Sequence, residues 1–281
     1  MAATQEKTYA IEYELPKAPS TIGEPKILGK GSFGTVFLGK DNTGKYVAIK
    51  EITSVRMKKR KITQEINISK VLGCTHKNIA CLLDVVTKPG RILLVSEYIE
   101  GPTLDQYKKI FSENKFTFLD IAYQLTDGLD YMWRKKVVHR DIKPQNIIMR
   151  GDVPIYIDFD MACLIYSPES PYKCTGHIGT PYFISPENWN TDKDINYQWS
   201  DIYSLGVTFY YMFNEKNHPF DGKDLQDLKY NVLNTDPVPS DCGIPELDDL
   251  IMSMISRSPK GRPSLFSIQA ILSGLIKNTY E

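Results

Sequence analysis

Residues able to do chemistry fall in four places along this chain. Gly29-Lys30-Gly31-Ser32-Phe33-Gly34-Thr35-Val36 spaces three glycines as GxGxxG between two strand-like stretches. No helix follows, which disfavours a dinucleotide-binding turn from strand into helix. Two readings stay open: a hairpin whose backbone closes over phosphate groups, or an ordinary glycine turn. Next, Val47-Ala48-Ile49-Lys50 ends an apolar strand on a lysine. A lysine in a buried strand is costly unless its ammonium meets an anion. Glu65, flanked by Ile62 and Ile66, is a suitable partner, and the pair would hold the ammonium against the α- and β-phosphates of a nucleotide. The alternative is a strand-end lysine with its stem laid along apolar surface. The third place, Val137 to Met149, sets His139, Arg140, Asp141, Lys143 and Asn146 between apolar runs. The fourth is IYIDFDMACL, residues 155–164, where a β-branched run breaks into two aspartates around Phe159. That stretch suits a metal-holding element, an altered copy of one, or a polar turn after a strand.

These residues need elements to position them. From Pro25 to Tyr98 the pattern is strand-like at Ile27-Leu28, Thr35 to Leu38, Tyr46 to Ile49 and Arg91 to Val95, with glycine turns at Asp41-Asn42-Thr43-Gly44 and Lys88-Pro89-Gly90. One helix interrupts them, from about Met57 to Leu72, with Ile62, Ile66, Ile68 and Leu72 on its apolar side. After Glu100-Gly101-Pro102 helical periods dominate, over roughly 103–111, 117–136, 201–214, 224–233, 246–256 and 264–276. No internal repeat or low-complexity tract is present.

The spacing His139-Arg140-Asp141, four residues, Asn146, followed after a second strand by Asp158, resembles the eukaryotic-type protein kinases in their serine/threonine branch. The landmarks keep the family's order from Lys26 to the C-terminal helix. The resemblance implies an α+β, two-lobed kinase-like fold: a small antiparallel sheet lobe with one main helix at about 25–98, a hinge at about 97–102, and a larger, mainly helical lobe at about 103–280. Residues 1–24, with Pro16, Pro19 and Gly23, read as an extension before the domain.

By the same resemblance the chain would transfer the γ-phosphoryl group of ATP to serine or threonine hydroxyls of protein substrates. Asp141 would be the base that accepts the hydroxyl proton, Lys143 would neutralise the transferring group, and Lys50 with Glu65 would position phosphates. Asn146 and Asp158 would be hard oxygen ligands for Mg²⁺. ATP would be bound by Leu28, Gly29, Gly31, Gly34, Val36, Ala48, Lys50 and Ile148, with adenine bonding the backbone of Glu97 and Ile99. Glu187 would pair with Arg262, and Asp201 would anchor the backbone of the catalytic loop. Thr175 is a candidate activation phosphosite, addressed by an upstream kinase or by the protein itself. The competing classes are a pseudokinase acting as a nucleotide-binding interaction module and a small-molecule or lipid kinase. Retention of the six residues Lys50, Glu65, Asp141, Lys143, Asn146 and Asp158 opposes the first; Thr180-Pro181-Tyr182 opposes the second.

Three positions depart from the family pattern. Asp160 replaces the glycine of Asp-Phe-Gly, removing backbone freedom from a switch. Ser96 precedes Glu97 at the position that gates the space behind adenine. Ser69 would complete a stack with Leu82, Phe159 and His139 by a hydroxyl instead of an aliphatic group.

Composition bounds the rest. Lys plus Arg and Asp plus Glu number 34 each, so no global field recruits nucleic acid or an anionic membrane. The longest apolar stretch, Ile202 to Phe213, is too short to span a bilayer. Five widely scattered cysteines without a CxxC pair point to a reducing, intracellular compartment and no zinc site. A cytoplasmic location is expected. Lys58-Lys59-Arg60-Lys61 reads as a solvated face that could also give nuclear access or meet a phosphate on Thr175.

Overall fold

The computed structural model describes residues 9–11, 26–30, 34–53, 59–165, 174, 179–189, 195–214 and 217–279. The chain divides into two compact units, residues 1–74 with 80–100, and residues 75–79 with 101–281. The first is a sheet unit. It contains β1 (Tyr9–Ile11), β2 (Ile27–Lys30), β3 (Thr35–Asp41), β4 (Tyr46–Thr53), α1 (Lys59–Leu72), β5 (Leu82–Lys88) and β6 (Arg91–Glu97). The strands pair antiparallel in the order β1-β3-β4-β6-β5, with β2 also on β3.

Turn chemistry sets the β3–β4 register. The Asp41 carboxylate accepts from the Thr43 amide and hydroxyl at 2.8 and 2.6 Å and from the Lys45 amide at 3.0 Å, and Gly44 takes φ +85°. An Asx-type turn with glycine at the left-handed position is what Asp-Asn-Thr-Gly encodes. The sheet buries Val47, Ile49, Leu93 and Val95 on one face. On the other, Ile52 and Leu94 receive Ile62 of α1, with Ile66 packed at the margin, so the apolar side of α1 covers the sheet.

Two expectations about this unit are corrected. Residues 1–24 do not simply precede the domain: Tyr9–Ile11 pairs with Gly39–Asp41 on the edge of β3 left beyond β2. The Tyr9 ring packs on the Val47 cluster and its hydroxyl donates to Asp84 at 3.0 Å. Burial, reinforced by Asp84, pushes the Tyr9 phenol up to about 12. The sheet also has more strands than the four expected, because Leu82–Lys88 is a strand whose alternation is broken by a register shift between Leu82 and Asp84.

The helical unit contains α2 (Lys108–Glu113), α3 (Lys115–Arg134), the short strands β7 (Val137–Val138), β8 (Ile147–Arg150), β9 (Val153–Tyr156) and β10 (Cys163–Leu164), then α4 (Tyr197–Phe213), α5 (Leu225–Asn234), α6 (Pro245–Met254) and α7 (Leu265–Thr279). Start signals are where capping chemistry puts them. Asn196 caps α4 through the Gln198 amide, Asp224 caps α5 through the amides of Gln226 and Asp227, and Pro245 opens α6. Helix α4 is buried almost all round, which is why its sequence is apolar without a polar face. It packs on α6, while α3 packs on α7. No helix among the described residues is long and apolar enough to cross a membrane.

The cysteines depart from the expectation of unpaired thiols in a reducing compartment. Cys74 and Cys81 form a disulfide in the sheet unit, and Cys163 and Cys174 form one in the helical unit, while Cys242 is buried as a free thiol. Cα separations of 4.8 and 5.5 Å lie within the range a disulfide spans. Pairs seven and eleven residues apart carry no motif, so only the fold reveals them.

Candidate active site

In the sheet unit, β4 delivers Lys50 and α1 delivers Glu65, joined by a 2.9 Å ion pair at side chains only 14% and 7% exposed. The cost of burying the ammonium is thus met as the sequence predicts. Val36 on β3 lies opposite Lys50, and Ala48 on β4 lies opposite Ser96 on β6. Leu28 and Gly29 are on β2, with Leu28 39% exposed. Gly34 has a packing reason of its own: a Cβ there would meet the Glu51 carbonyl oxygen at 2.4 Å. Gly31 lies outside the described residues. Glu97 ends β6; its amide donates to the Cys81 carbonyl and its carboxylate accepts from the Cys81 amide, both at 3.0 Å. Ile99 follows, buried. Ser69 is half-buried on α1.

In the helical unit the chain between β7 and β8 gathers Asp141, Lys143 and Asn146. The Asp141 carboxylate accepts from Lys143 Nζ at 2.9 Å and Asn146 Nδ2 at 2.9 Å through one oxygen. Through the other it accepts from the Thr180 amide at 2.9 Å and the Thr180 hydroxyl at 2.8 Å. Burial pushes this carboxyl up, but the Lys143 hydrogen bond and charge, the Thr180 hydroxyl and His139 outweigh it, holding Asp141 below the usual carboxylate range. It therefore stays ionised and fixed in direction.

The loop is itself held from beneath. Asp201, on α4 and fully buried, accepts from the His139 and Arg140 amides at 2.9 Å each. Arg140 adopts φ +69°, a left-handed conformation that costs a non-glycine residue; these two bonds to Asp201 hold it there. Burial also pushes the Asp201 carboxyl up, offset in part by the two amides. The anchoring role expected for Asp201 is what the geometry gives.

Asn146 also bonds the Asp141 carbonyl at 2.8 Å, so its amide nitrogen is spoken for and its side-chain oxygen is the atom that can face a ligand. The Ile157 amide donates to the Asn146 carbonyl at 2.9 Å, which sets Asp158 beside Asn146 in the same unit. Asp158 is exposed and takes φ +60°. Phe159 is buried with its ring 5.3 Å from His139. Asp160 is not among the described non-glycine residues with positive φ, so an aspartate fits its backbone without strain; its amide donates to Asp158 Oδ1 at 3.4 Å. Ile148 sits half-buried in the β8–β9 hairpin opposite Ile155.

Thr180 is the residue that the sequence treated only as a landmark. Besides its two bonds to Asp141 it accepts from Lys143 Nζ at 2.6 Å. Gly179 before it takes φ +141°, and a Cβ there would stand 3.1 Å from the Arg140 carbonyl oxygen; a Gly-Thr pair was the available signal. Downstream, Glu187 and Arg262 pair as expected, through bonds of 2.6 and 2.7 Å. Thr175 and Lys58 lie outside the described residues, as do the side chains of Lys59, Arg60 and Lys61.

Comparison with known proteins agrees with this arrangement. The family model described as protein kinase domain matches residues 23–273. The chain is similar to R436 of Acanthamoeba polyphaga mimivirus, named as a serine/threonine-protein kinase, with 34% identity over 85% of this chain and 88% of that protein. It is 34% identical to human serine/threonine-protein kinase Nek5 over 86% of this chain and 33% identical to nek3 of Dictyostelium discoideum over 87%. The matched region spans only 35% and 22% of those two proteins. The two units, the landmarks in family order and the matched span lead to one conclusion: the chain belongs to the protein kinase domain family.

Proposed function

We propose that this protein kinase transfers the γ-phosphoryl group of ATP to serine or threonine hydroxyls of protein substrates, with Asp141 as the base. The observation that carries the reading is the Asp141 carboxylate, ionised, buried and oriented by Lys143, Asn146 and Thr180. In phosphoryl transfer the protein supplies positioning and charge compensation more than covalent chemistry, and this constellation provides both. Asp141 receives the acceptor hydroxyl and points its oxygen. Lys143, already bonded to Asp141 and Thr180, carries the positive charge that offsets the transferring group. Lys50, held by Glu65, supplies an ammonium for the α- and β-phosphates, and Leu28, Gly29, Gly34, Val36, Ala48, Ile99 and Ile148 are assigned to the nucleotide.

The donor set fits Mg²⁺: Asn146 keeps its amide nitrogen on Asp141 and presents an oxygen, and Asp158 is an exposed carboxylate beside it. Both are hard ligands of the kind this ion prefers. When bound, Mg²⁺ would neutralise phosphate oxygens. The serine/threonine preference is supported by Lys143 and by the names of the relatives. Thr175 remains the proposed phosphosite, for an upstream kinase or for autophosphorylation, and a cytoplasmic location with nuclear access is the proposed setting.

The test is γ-phosphate transfer to a mixed protein substrate, wild type against Asp141→Asn, followed by phosphoamino-acid analysis. Labelling on serine and threonine that collapses in Asp141→Asn is expected. Equal background labelling in both would replace this reading with a nucleotide-binding interaction module.

A further inference from the structure

The Cys163–Cys174 disulfide joins two points that matter to the Asp141 constellation. Cys163 is fully buried on β10, paired opposite Val138 of β7, and β7 runs straight into His139-Arg140-Asp141. Cys174 is half-buried and precedes Thr180, whose amide and hydroxyl both bond Asp141. The chain that returns to Asp141 is thus fixed on the strand pair that leads out to it. The bond leaves six positions from Cys174 to Thr180, against sixteen from Leu164, which lowers the entropic cost of closing the loop that holds Thr180 on Asp141.

We propose that Cys163 and Cys174 are a reversible thiol–disulfide site that governs how firmly Thr180 is held on Asp141, with a low-molecular-weight disulfide such as glutathione disulfide as the oxidant. The inference rests on the kinase reading above for its functional consequence and on geometry for the site itself. Cys174, the more accessible thiol, attacks the oxidant as thiolate and releases one small thiol, leaving a mixed disulfide. Cys163 then attacks the Cys174 sulfur, the protein disulfide forms and the second small thiol leaves. Two protein thiols lose two electrons and two protons; the oxidant takes up both and departs as two thiols. In the oxidised form Thr180 is pre-organised on Asp141 for a polypeptide substrate, so oxidation lowers the KM for protein and leaves the KM for ATP unchanged.

The experiment equilibrates the full chain in glutathione buffers of graded oxidised-to-reduced ratio. The Cys163–Cys174 linkage is quantified by non-reducing peptide mapping, and KM is measured separately for a generic protein substrate and for ATP. A linkage that forms and reverses with the ratio, with a several-fold fall in the protein KM alone, is the expected result. Cys174→Ala abolishes the response, and a Cys74→Ala, Cys81→Ala double variant retains it. Absence of the linkage, a response surviving in Cys174→Ala, or parallel movement of both KM values overturns the proposal. If no form transfers phosphate, the kinase reading fails, and limited proteolysis still decides the site: cleavage between Leu164 and Thr180 must be faster in the reduced chain, and equal rates refute it.

Discussion

Arg262 grips Glu187 with two guanidinium nitrogens, at 2.6 and 2.7 Å, although the residues are 75 positions apart. The same guanidinium bonds the carbonyls of Ser256 and Trp199 at 2.9 and 2.7 Å and lies over the Tyr203 ring at 5.1 Å. One cation therefore ties the segment after Thr180 to α4 and to the turn after α6, with its side chain 0% exposed. Breaking a buried pair by removing one member strands the other charge and costs about 3–5 kcal/mol. Arg262→Ala should lower the unfolding free energy by that order in chemical denaturation. Arg262→Lys should recover little, because a single ammonium cannot reproduce the planar fork; full recovery would show that charge alone matters.

Asp201 gives a second prediction, with a functional readout. Its two oxygens each accept a backbone amide, from His139 and Arg140. An asparagine keeps the shape but must turn a donor towards one of them. Leaving a buried amide unpaired costs about 1–3 kcal/mol, and Arg140 would lose what holds its φ of +69°. Asp201→Asn should therefore lower kcat, because Asp141 follows Arg140 directly, while nucleotide affinity at Lys50 is unchanged. Loss of nucleotide binding in a folded variant would contradict this account.

The parts legible in the sequence were those where burial and charge leave few solutions. Lys50 at the end of an apolar strand needs an acid, and Glu65 amid isoleucines supplies it. Asp41-Asn42-Thr43-Gly44 could only be a turn. What stayed hidden depended on the chain returning from far away. Thr180 meets Asp141 39 positions upstream; the Gly-Thr pair marks the position but says nothing of a hydroxyl that both donates and accepts there. Tyr9 joins the sheet through three residues, Tyr9–Ile11, a run too short to show the alternation of a strand. The strand Leu82–Lys88 escapes detection because its irregularity after Leu82 breaks the period of two. Cysteine pairing was concealed for the same reason, since Cys163 faces Cys174 only after β10 has paired with β7.

His218 predicts a pH dependence of stability. Its ring stacks on Tyr182 at 4.3 Å and meets Phe183 and Tyr211 at 5.3 and 5.6 Å. Burial pushes the imidazole down to about 4 from 6.5, opposed by Asp221 and aided by Lys108. Between those two values the unfolded chain binds a proton that the folded chain does not. Stability from this group is thus complete above about pH 6.5 and is lost as pH falls through 4. His218→Phe, which keeps an aromatic ring and removes the titration, should flatten the fall of Tm across that window at constant ionic strength. An unchanged slope would assign the fall to other groups.

The aspartate that replaces glycine after Phe159 makes the last prediction. Asp158 already occupies a left-handed backbone at φ +60°, whereas Asp160 does not need one, so glycine at 160 would add freedom that the folded structure does not use. Such freedom is paid for in the unfolded chain, and Asp160→Gly should destabilise by roughly 0.5–1 kcal/mol. Asp160→Ala separates the two possible origins, because alanine removes the carboxylate while keeping the backbone restriction. If Gly is destabilised relative to Ala by that margin, backbone entropy is the cause, and the Gly variant should also exchange amide hydrogens faster at Phe159 and Met161. If Gly and Ala are equally stable, the carboxylate is what the position contributes and the backbone argument fails.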